Sequence, residues 1–143
     1  QSGWVFDEIR NKRGLAYQVG INNEHESDYG MFAVYAGLDK KNIEKAKGII
    51  LQQFRKLDNI TSNDLDEAKD YIEGNHTLHT EDNFNHADNL SFWETIKDAS
   101  LAYSYLKNIR KVTIEDVKSV AKKYLNKRAP FLFLLFEIAP RRD

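Results

Sequence analysis

Two side chains seven residues apart give the first chemical signal in this sequence. Arg10 and Tyr17 lie on either side of Gly14 in the stretch FDEIRNKRGLAYQV, which runs from Phe6 to Val19. A guanidinium presents several fixed N–H donors that suit carboxylates and peptide carbonyls, and a phenol presents one donor on a stiff ring. Together the two groups could hold a substrate backbone or stabilise an oxyanion beside a metal bound elsewhere.

The same two residues also have a purely structural interpretation. Arg10 would then pair with Asp7 or another nearby carboxylate, and Tyr17 would pack in the core. Period-two alternation favours burial of the tyrosine, because it places Tyr17 on one face of a strand with Leu15, Val19 and Ile21. From the residues alone this interpretation is favoured, since charged pairs are common on helices.

The remaining candidates for chemistry are weaker. His76 and His79 are spaced i, i+3 on an expected helix and could share a metal, but no third ligand is identifiable and both lie beside an apolar stripe. A partly buried, hydrogen-bonded pair is the default interpretation. There is no cysteine, no HxxEH or HExxH, no GxSxG and no glycine-rich phosphate loop. We therefore predict no catalytic residue and no metal ligand in this chain itself.

Length and composition fit one soluble, globular domain over residues 1–143, with 41% apolar and 30% charged residues. The net charge of −1 gives no electrostatic basis for binding nucleic acid or an anionic membrane. The longest apolar run, Phe131 to Phe136, is too short to cross a bilayer. The chain enters a patterned segment at once and lacks an initiator methionine, so we expect a piece of a longer polypeptide.

The elements that must position Arg10 and Tyr17 are a helix end and a hairpin. Val5 and Ile9 predict the tail of an amphipathic helix that ends near Gly14. A strand from Leu15, a polar loop over Asn22 to Asp28 and a second strand over Gly30 to Leu38 predict an antiparallel pair.

Helices dominate the rest of the chain. Asp39 is a candidate cap for a helix with an apolar stripe, and Thr61 with Asp64 and Thr113 with Asp116 form two capping boxes. Further helices are expected in NHADNLSFWETI and LAYSYLKNI, and a last strand over Phe131 to Ile138 after Pro130. The predicted class is α+β, a mostly antiparallel sheet with helices packed on one face. The stripe after Asp39 consists of Ile43, Ala46, Ile50, Phe54 and Leu57.

The segment FDEIRNKRGLAYQV resembles the one that opens the recognisable part of the C-terminal domain in pitrilysin-type (inverse zincin) metallopeptidases. The likeness continues in order through YGMFAVYAGLDKKNIEKAKGII, ITSNDLDEAKDYIEGN and VTIEDVKSVAKKYLN, and so covers nearly the whole chain. Relative to that family, we expect the sequence to begin within the domain, after its first strand and most of its first helix.

The resemblance implies a division of labour between homologous domains. An N-terminal domain, in the same chain or a separate subunit, binds zinc through HxxEH, and a C-terminal domain faces it across a closed chamber. The C-terminal domain contributes an arginine and a tyrosine seven residues later, which hold peptide substrate near the zinc; Arg10 and Tyr17 match that spacing. The expected function is thus the substrate-binding domain of a zinc metalloendopeptidase, inactive by itself.

Three hypotheses stay open at this point. The first is that catalytic-partner role, and the second is a proteolytically inactive structural or interaction subunit of the same fold. The third is a small metal-binding domain that uses His76 and His79. A truncated sheet edge also predicts self-association, as a homodimer, or pairing with a partner strand.

Overall fold

The computed structural model describes residues 3–25 and 28–125 of the chain. A short helix, two strands and a block of helices follow one another along the sequence. In order, they are α1 (Trp4–Phe6) continued by a π-helical segment (Asp7–Asn11), β1 (Ala16–His25), β2 (Gly30–Leu38), a 3-10 turn (Lys40–Asn42), α2 (Ile43–Lys56), a second 3-10 turn (Leu57–Asn59), α3 (Ser62–Thr80), α4 (Asn83–Ile96), α5 (Leu101–Lys111) and α6 (Ile114–Tyr124).

The two strands form the predicted antiparallel pair, which confirms both the hairpin and the α+β class. Val19 lies opposite Ala36 and Gly20 opposite Tyr35. The predicted loop over Asn22 to Asp28 is wrong in its first half, because β1 runs on to His25. Ladder hydrogen bonds to β2 outweigh the weak strand propensity of these polar residues.

The core lies between one face of this hairpin and the helices that pack on it. It is formed by buried apolar residues of α1 and its π-helical continuation, of β1 and the residue before it, and of α2, against which β2 packs Val34, Ala36 and Leu38. The rings of Phe32 and Phe54 extend it, 5.9 Å apart and edge to face. Helices therefore cover one face, as predicted, and among the described residues no helix covers the other face of the hairpin, here called the open face. The buried core residues are Val5, Ile9, Leu15, Ala16, Val19, Ala46 and Ile49.

Helix α2 differs from its prediction in two respects. The side chain of Asp39 makes no cap hydrogen bond; its backbone carbonyl accepts from Asn42 N–H at 2.8 Å and starts the 3-10 turn. The buried residues of α2 are Ala46, Ile49 and Gln53, whereas Ile43, Ile50, Phe54 and Leu57 of the predicted stripe are half-buried. Gln53 is 4% exposed, and within the described residues its Oε1 accepts no hydrogen bond.

Local hydrogen bonds define the helices that follow. Both capping boxes are confirmed: the hydroxyls of Thr61 and Thr113 accept from the backbone N–H groups of Asp64 and Asp116, whose carboxylates bond back. These hydrogen bonds lower the pKa of both carboxyls, chiefly through the Thr61 hydroxyl for Asp64 and the Thr113 backbone N–H for Asp116. The helices predicted in NHADNLSFWETI and LAYSYLKNI are α4 and α5.

Ion pairs connect α3 to α5. The guanidinium of Arg110 bonds the carboxylates of Asp70, at 2.7 Å, and Glu73, while Lys69 Nζ reaches the Arg110 carbonyl at 3.1 Å. Glu73 and then Asp70 raise the pKa of Arg110. These groups are partly exposed, so the ion pairs add little to the stability of the fold. Their main effect is to orient α3 and α5 relative to each other.

Some predictions fall beyond the part of the chain just described. The strand expected over Phe131 to Ile138 and the break at Pro130 lie outside the described residues. The extent of the domain, residues 1–143, likewise stays a prediction. Among the described helices, none combines the length and apolar content that a bilayer span requires.

Candidate functional site

Three backbone irregularities position the candidate residues Arg10 and Tyr17. The first is the π-helical segment Asp7–Asn11, in which Lys12 N–H bonds the Asp7 carbonyl five residues back at 2.8 Å. Arg10 lies in this segment, on the exposed side of a turn whose buried side chain is Ile9. Wide turns of this kind are rare in proteins, and those that occur are often found at functional sites.

Gly14 ends the helix in the left-handed conformation, with φ +58°, which is the glycine C-cap predicted from the sequence. Its N–H bonds the Arg10 carbonyl at 3.0 Å, and Leu15 N–H bonds the Ile9 carbonyl at 2.9 Å. The cap thus satisfies the last carbonyls of the helix and turns the chain directly into β1.

A β-bulge at Tyr17 is the third irregularity. Ala16 pairs with Leu38 and Gln18 with Gly37, so Tyr17 is an extra residue without its own partner on β2. Ala16 and Val19 are therefore both buried, whereas Tyr17 is 83% exposed. The expectation that Tyr17 shares a face with Val19 is wrong, because a bulge shifts the alternation by one residue.

Charged neighbours fix the shape of the helix end around Arg10. Glu8 accepts from Lys12 Nζ at 2.6 Å and from Arg13, and these two hydrogen bonds lower the pKa of Glu8 to about 2. Asp7 accepts from the Asn11 amide at 2.7 Å. The guanidinium carbon of Arg10 lies 5.2 Å from the centre of the Phe6 ring, a cation–π contact.

The structure thus has an arginine stacked on a ring and, seven residues later in the chain, a tyrosine directed to solvent. One half of the structural interpretation, burial of Tyr17, does not hold. A guanidinium and a phenol at the surface can donate hydrogen bonds to carbonyl or carboxylate oxygens of a bound molecule. No sequence pattern predicted the π turn. The bulge had one signal in the sequence, the consecutive apolar residues Leu15 and Ala16, which interrupt strict alternation.

The histidines lie elsewhere. His76 is half-buried, with its ring 5.1 Å from that of Tyr105, and His79 is exposed one turn on. Among the described residues, no three His, Cys, Asp or Glu side chains are arranged to hold a metal ion. The two imidazoles instead line an open cleft of about 310 Å³ with Asn23, Glu24, Asp88, Asn89 and Phe92.

Known proteins resemble this chain in sequence and in fold. A family model described as the peptidase M16 inactive domain matches residues 1–72. An uncharacterized zinc protease of Streptomyces coelicolor is 28% identical over 99% of this chain and 31% of its own length. A probable inactive metalloprotease of Bacillus subtilis is 29% identical over 83% of this chain and 28% of its own length.

A crystal structure of a protease from Helicobacter pylori shares the fold, with a TM-score of 0.74 at 22% identity over 87% of this chain and 31% of that one. This chain spans less than a third of the length of each of these relatives. The matching family model and the shared fold confirm the resemblance to a C-terminal domain of this superfamily. The chain belongs to the family of peptidase M16 inactive domains.

Proposed function

We propose that this chain is the substrate-binding C-terminal domain of a zinc-dependent metalloendopeptidase, and that Arg10 and Tyr17 hold the peptide. The observation that carries the proposal is the bulge that leaves Tyr17 83% exposed. Burying a tyrosine ring removes on the order of 150 to 250 Å² from water, so a strand gains stability by turning it inward. Exposure of this ring forgoes that gain and makes its hydroxyl available to a ligand.

Each side chain suits a different part of a peptide. The N–H groups of Arg10 can bond two oxygens at once, which fits a carboxylate or successive backbone carbonyls. The hydroxyl of Tyr17 can donate to a single carbonyl oxygen and continue to do so as negative charge develops on it. Backbone hydrogen bonds of the π turn and of the cap at Gly14 hold the segment between them, and such preorganisation lowers the entropic cost of binding.

Zinc belongs to another part of the proposed assembly. Among the residues that the structure describes, no three potential ligands are grouped to hold a metal ion. We place zinc in a homologous domain, in the same polypeptide or in a separate subunit, which faces this one across a closed chamber. The present chain by itself is then inactive as a peptidase.

The test is turnover of a peptide by the full-length protein. Arg10→Ala and Tyr17→Phe should each lower kcat/KM by about 100-fold, the loss typical of one removed oxyanion donor. Arg55→Ala and Tyr29→Phe are the matched controls, since Arg55 is an exposed arginine near the end of α2 and Tyr29 is exposed beside the hairpin. Wild-type turnover in both site variants, with unchanged circular dichroism, would remove the proposed role.

The alternative is a proteolytically inactive structural subunit of the same fold. The similarity to a probable inactive metalloprotease of Bacillus subtilis favours it. The two possibilities separate on the zinc motif: HxxEH in the same reading frame or in an adjacent gene supports the peptidase. Absence of peptide hydrolysis by the zinc-loaded assembly supports the structural subunit.

We also propose that the isolated chain self-associates through the hairpin. In the described residues, β1 and β2 pair only with each other, so each strand has an edge without a sheet partner. Such edges pair with further strands. Sedimentation equilibrium at high concentration should show dimers, and a strictly monomeric chain would contradict this.

A further inference from the structure

The open face of the hairpin, opposite the core, contains an aromatic ring that rests on a glycine. Gly20 lies directly opposite Tyr35 in the register. A Cβ added at Gly20 would come within 2.7 Å of Tyr35 Cε1 and closer still to Cζ and the hydroxyl oxygen. The phenol ring therefore crosses β1 over the glycine backbone, and only glycine permits this position.

The neighbouring glycine on the same face behaves differently. Gly37 lies opposite Gln18, and a Cβ added there would meet the Gln18 Cβ at 3.9 Å, an ordinary contact. The requirement for glycine is thus specific to Gly20 and to the ring above it. Tyr35 nevertheless stays 51% exposed, because one side of the ring packs on backbone while the rest is open to solvent.

Tyr17 and Tyr35 are both exposed away from the core. The bulge exposes Tyr17, and the pairing of the buried Val19 with Ala36 puts the next pair, Gly20 and Tyr35, on the open face. Three residues of strand separate Tyr17 from Gly20, a rise of about 10 Å. An extended peptide held at Tyr17 and running along β1 would reach the Tyr35 ring about three residues later.

We propose that Tyr35 determines specificity by giving an apolar or aromatic side chain of the bound peptide a flat surface to pack on. The inference rests on the proposed function, since Arg10 and Tyr17 hold the peptide that reaches this ring. A ring with one side packed on backbone suits the purpose, because a tyrosine has few rotatable bonds and little freedom is lost when a ligand packs on its outer side.

A purely structural role is the competing explanation. An aromatic side chain that covers a strand glycine replaces missing packing and stabilises the hairpin. In that case, changes at Tyr35 would affect stability alone and would leave the choice of peptide unchanged.

The experiment uses the full-length protein and peptides that differ at one position at a time, with Phe or Ser there. For each varied position, the measured quantity is the ratio of kcat/KM for the Phe peptide to kcat/KM for the Ser peptide. Tyr35→Ala should lower this ratio by about 10-fold at the one peptide position that contacts the ring, mainly through KM. Gly20→Ala keeps the phenol but displaces it, so it should reduce the same ratio. Gly37→Ala and Tyr71→Ala, an exposed tyrosine of α3, should keep the wild-type ratio.

Fluorescence anisotropy with the same labelled peptides gives the ratio of affinities, which does not depend on turnover. Loss of discrimination in Tyr35→Ala and Gly20→Ala by either readout supports the inference. A wild-type ratio in both, even with a lowered Tm, overturns it. Failure of the proposed function gives a different result: Arg10→Ala and Tyr17→Phe would then keep wild-type turnover on every peptide. In that case the ratio of affinities alone would show whether Tyr35 discriminates between the peptides.

Discussion

The hairpin half of the molecule, residues 3–56, and the helical half, residues 62–125, are held together in different ways. In the hairpin half, side chains distant in sequence meet in one buried cluster that includes the fully buried Ile9. In the helical half, α4 buries no residue, and the buried apolar side chains are Leu65, Ala102 and Ala121. Two of its helices begin at capping boxes, and ion pairs at the surface link α3 to α5.

The difference explains where the unusual backbone occurs. The π turn, the left-handed Gly14 and the bulge at Tyr17 all lie in the hairpin half. Irregular backbone persists only where surrounding packing stabilises it, and the buried cluster supplies that packing. A site that needs fixed side chains at the surface is better supported there than on helices held by local bonds. The family model also matches this half and the first part of α3.

The largest expected effect comes from opening a cavity in each half. Ile9→Ala should lower the free energy of unfolding by about 2 to 5 kcal/mol, the usual cost of truncating a fully buried isoleucine. Ile109→Ala, at a half-buried position of α5, should cost about 1 kcal/mol. Urea unfolding measures both. Equal losses would mean that the two halves do not differ in packing.

A smaller effect tests the local bonds of the helical half. Thr61→Ala removes the hydroxyl that accepts from Asp64 N–H and should cost about 1 kcal/mol, measured by thermal unfolding. Ser62→Ala is the control, because Ser62 is the next residue and the cap bond is made by Thr61. If both variants keep the wild-type Tm, capping does not stabilise α3, and the claim that local bonds stabilise the helical half is wrong.

The smallest effect concerns acid. The folded pKa of Glu8 is about 2, below the ordinary 4.5, so its hydrogen bonds with Lys12 and Arg13 stabilise the fold above pH 4.5. That contribution disappears as the pH falls toward 2. Glu8→Gln should therefore be less stable than wild type at neutral pH, and the difference should shrink between pH 4.5 and 2.

The control for this pH series is Gln52→Ala, at an exposed position of α2. An amide does not titrate, so this variant should show a difference from wild type that does not vary in the same pH range. A constant difference for Glu8→Gln would indicate that its hydrogen bonds do not stabilise the turn that carries Arg10.

Sequence patterns predicted the parts of the site that depend on neighbours in the chain. Gly14 after an apolar helical repeat predicts the end of the helix, and the structure ends the helix there with φ +58°. The direction of Tyr17 was mispredicted, because it depends on which residues of β2 pair with Ala16 and Gln18. The ring of Tyr35 over Gly20 was missed for the same reason, since the two residues are neighbours only across the hairpin.

By itself, the sequence determined the hairpin, both capping boxes, the glycine that ends the first helix and the likeness to a peptidase domain. Each of these depends on residues a few positions apart or on a pattern read along the chain. Only the tertiary structure decided which face of α2 is buried, where the helix widens and that Tyr17 is exposed. Those outcomes depend on register and packing between segments distant in sequence, where a shift of one residue reverses the face of a side chain.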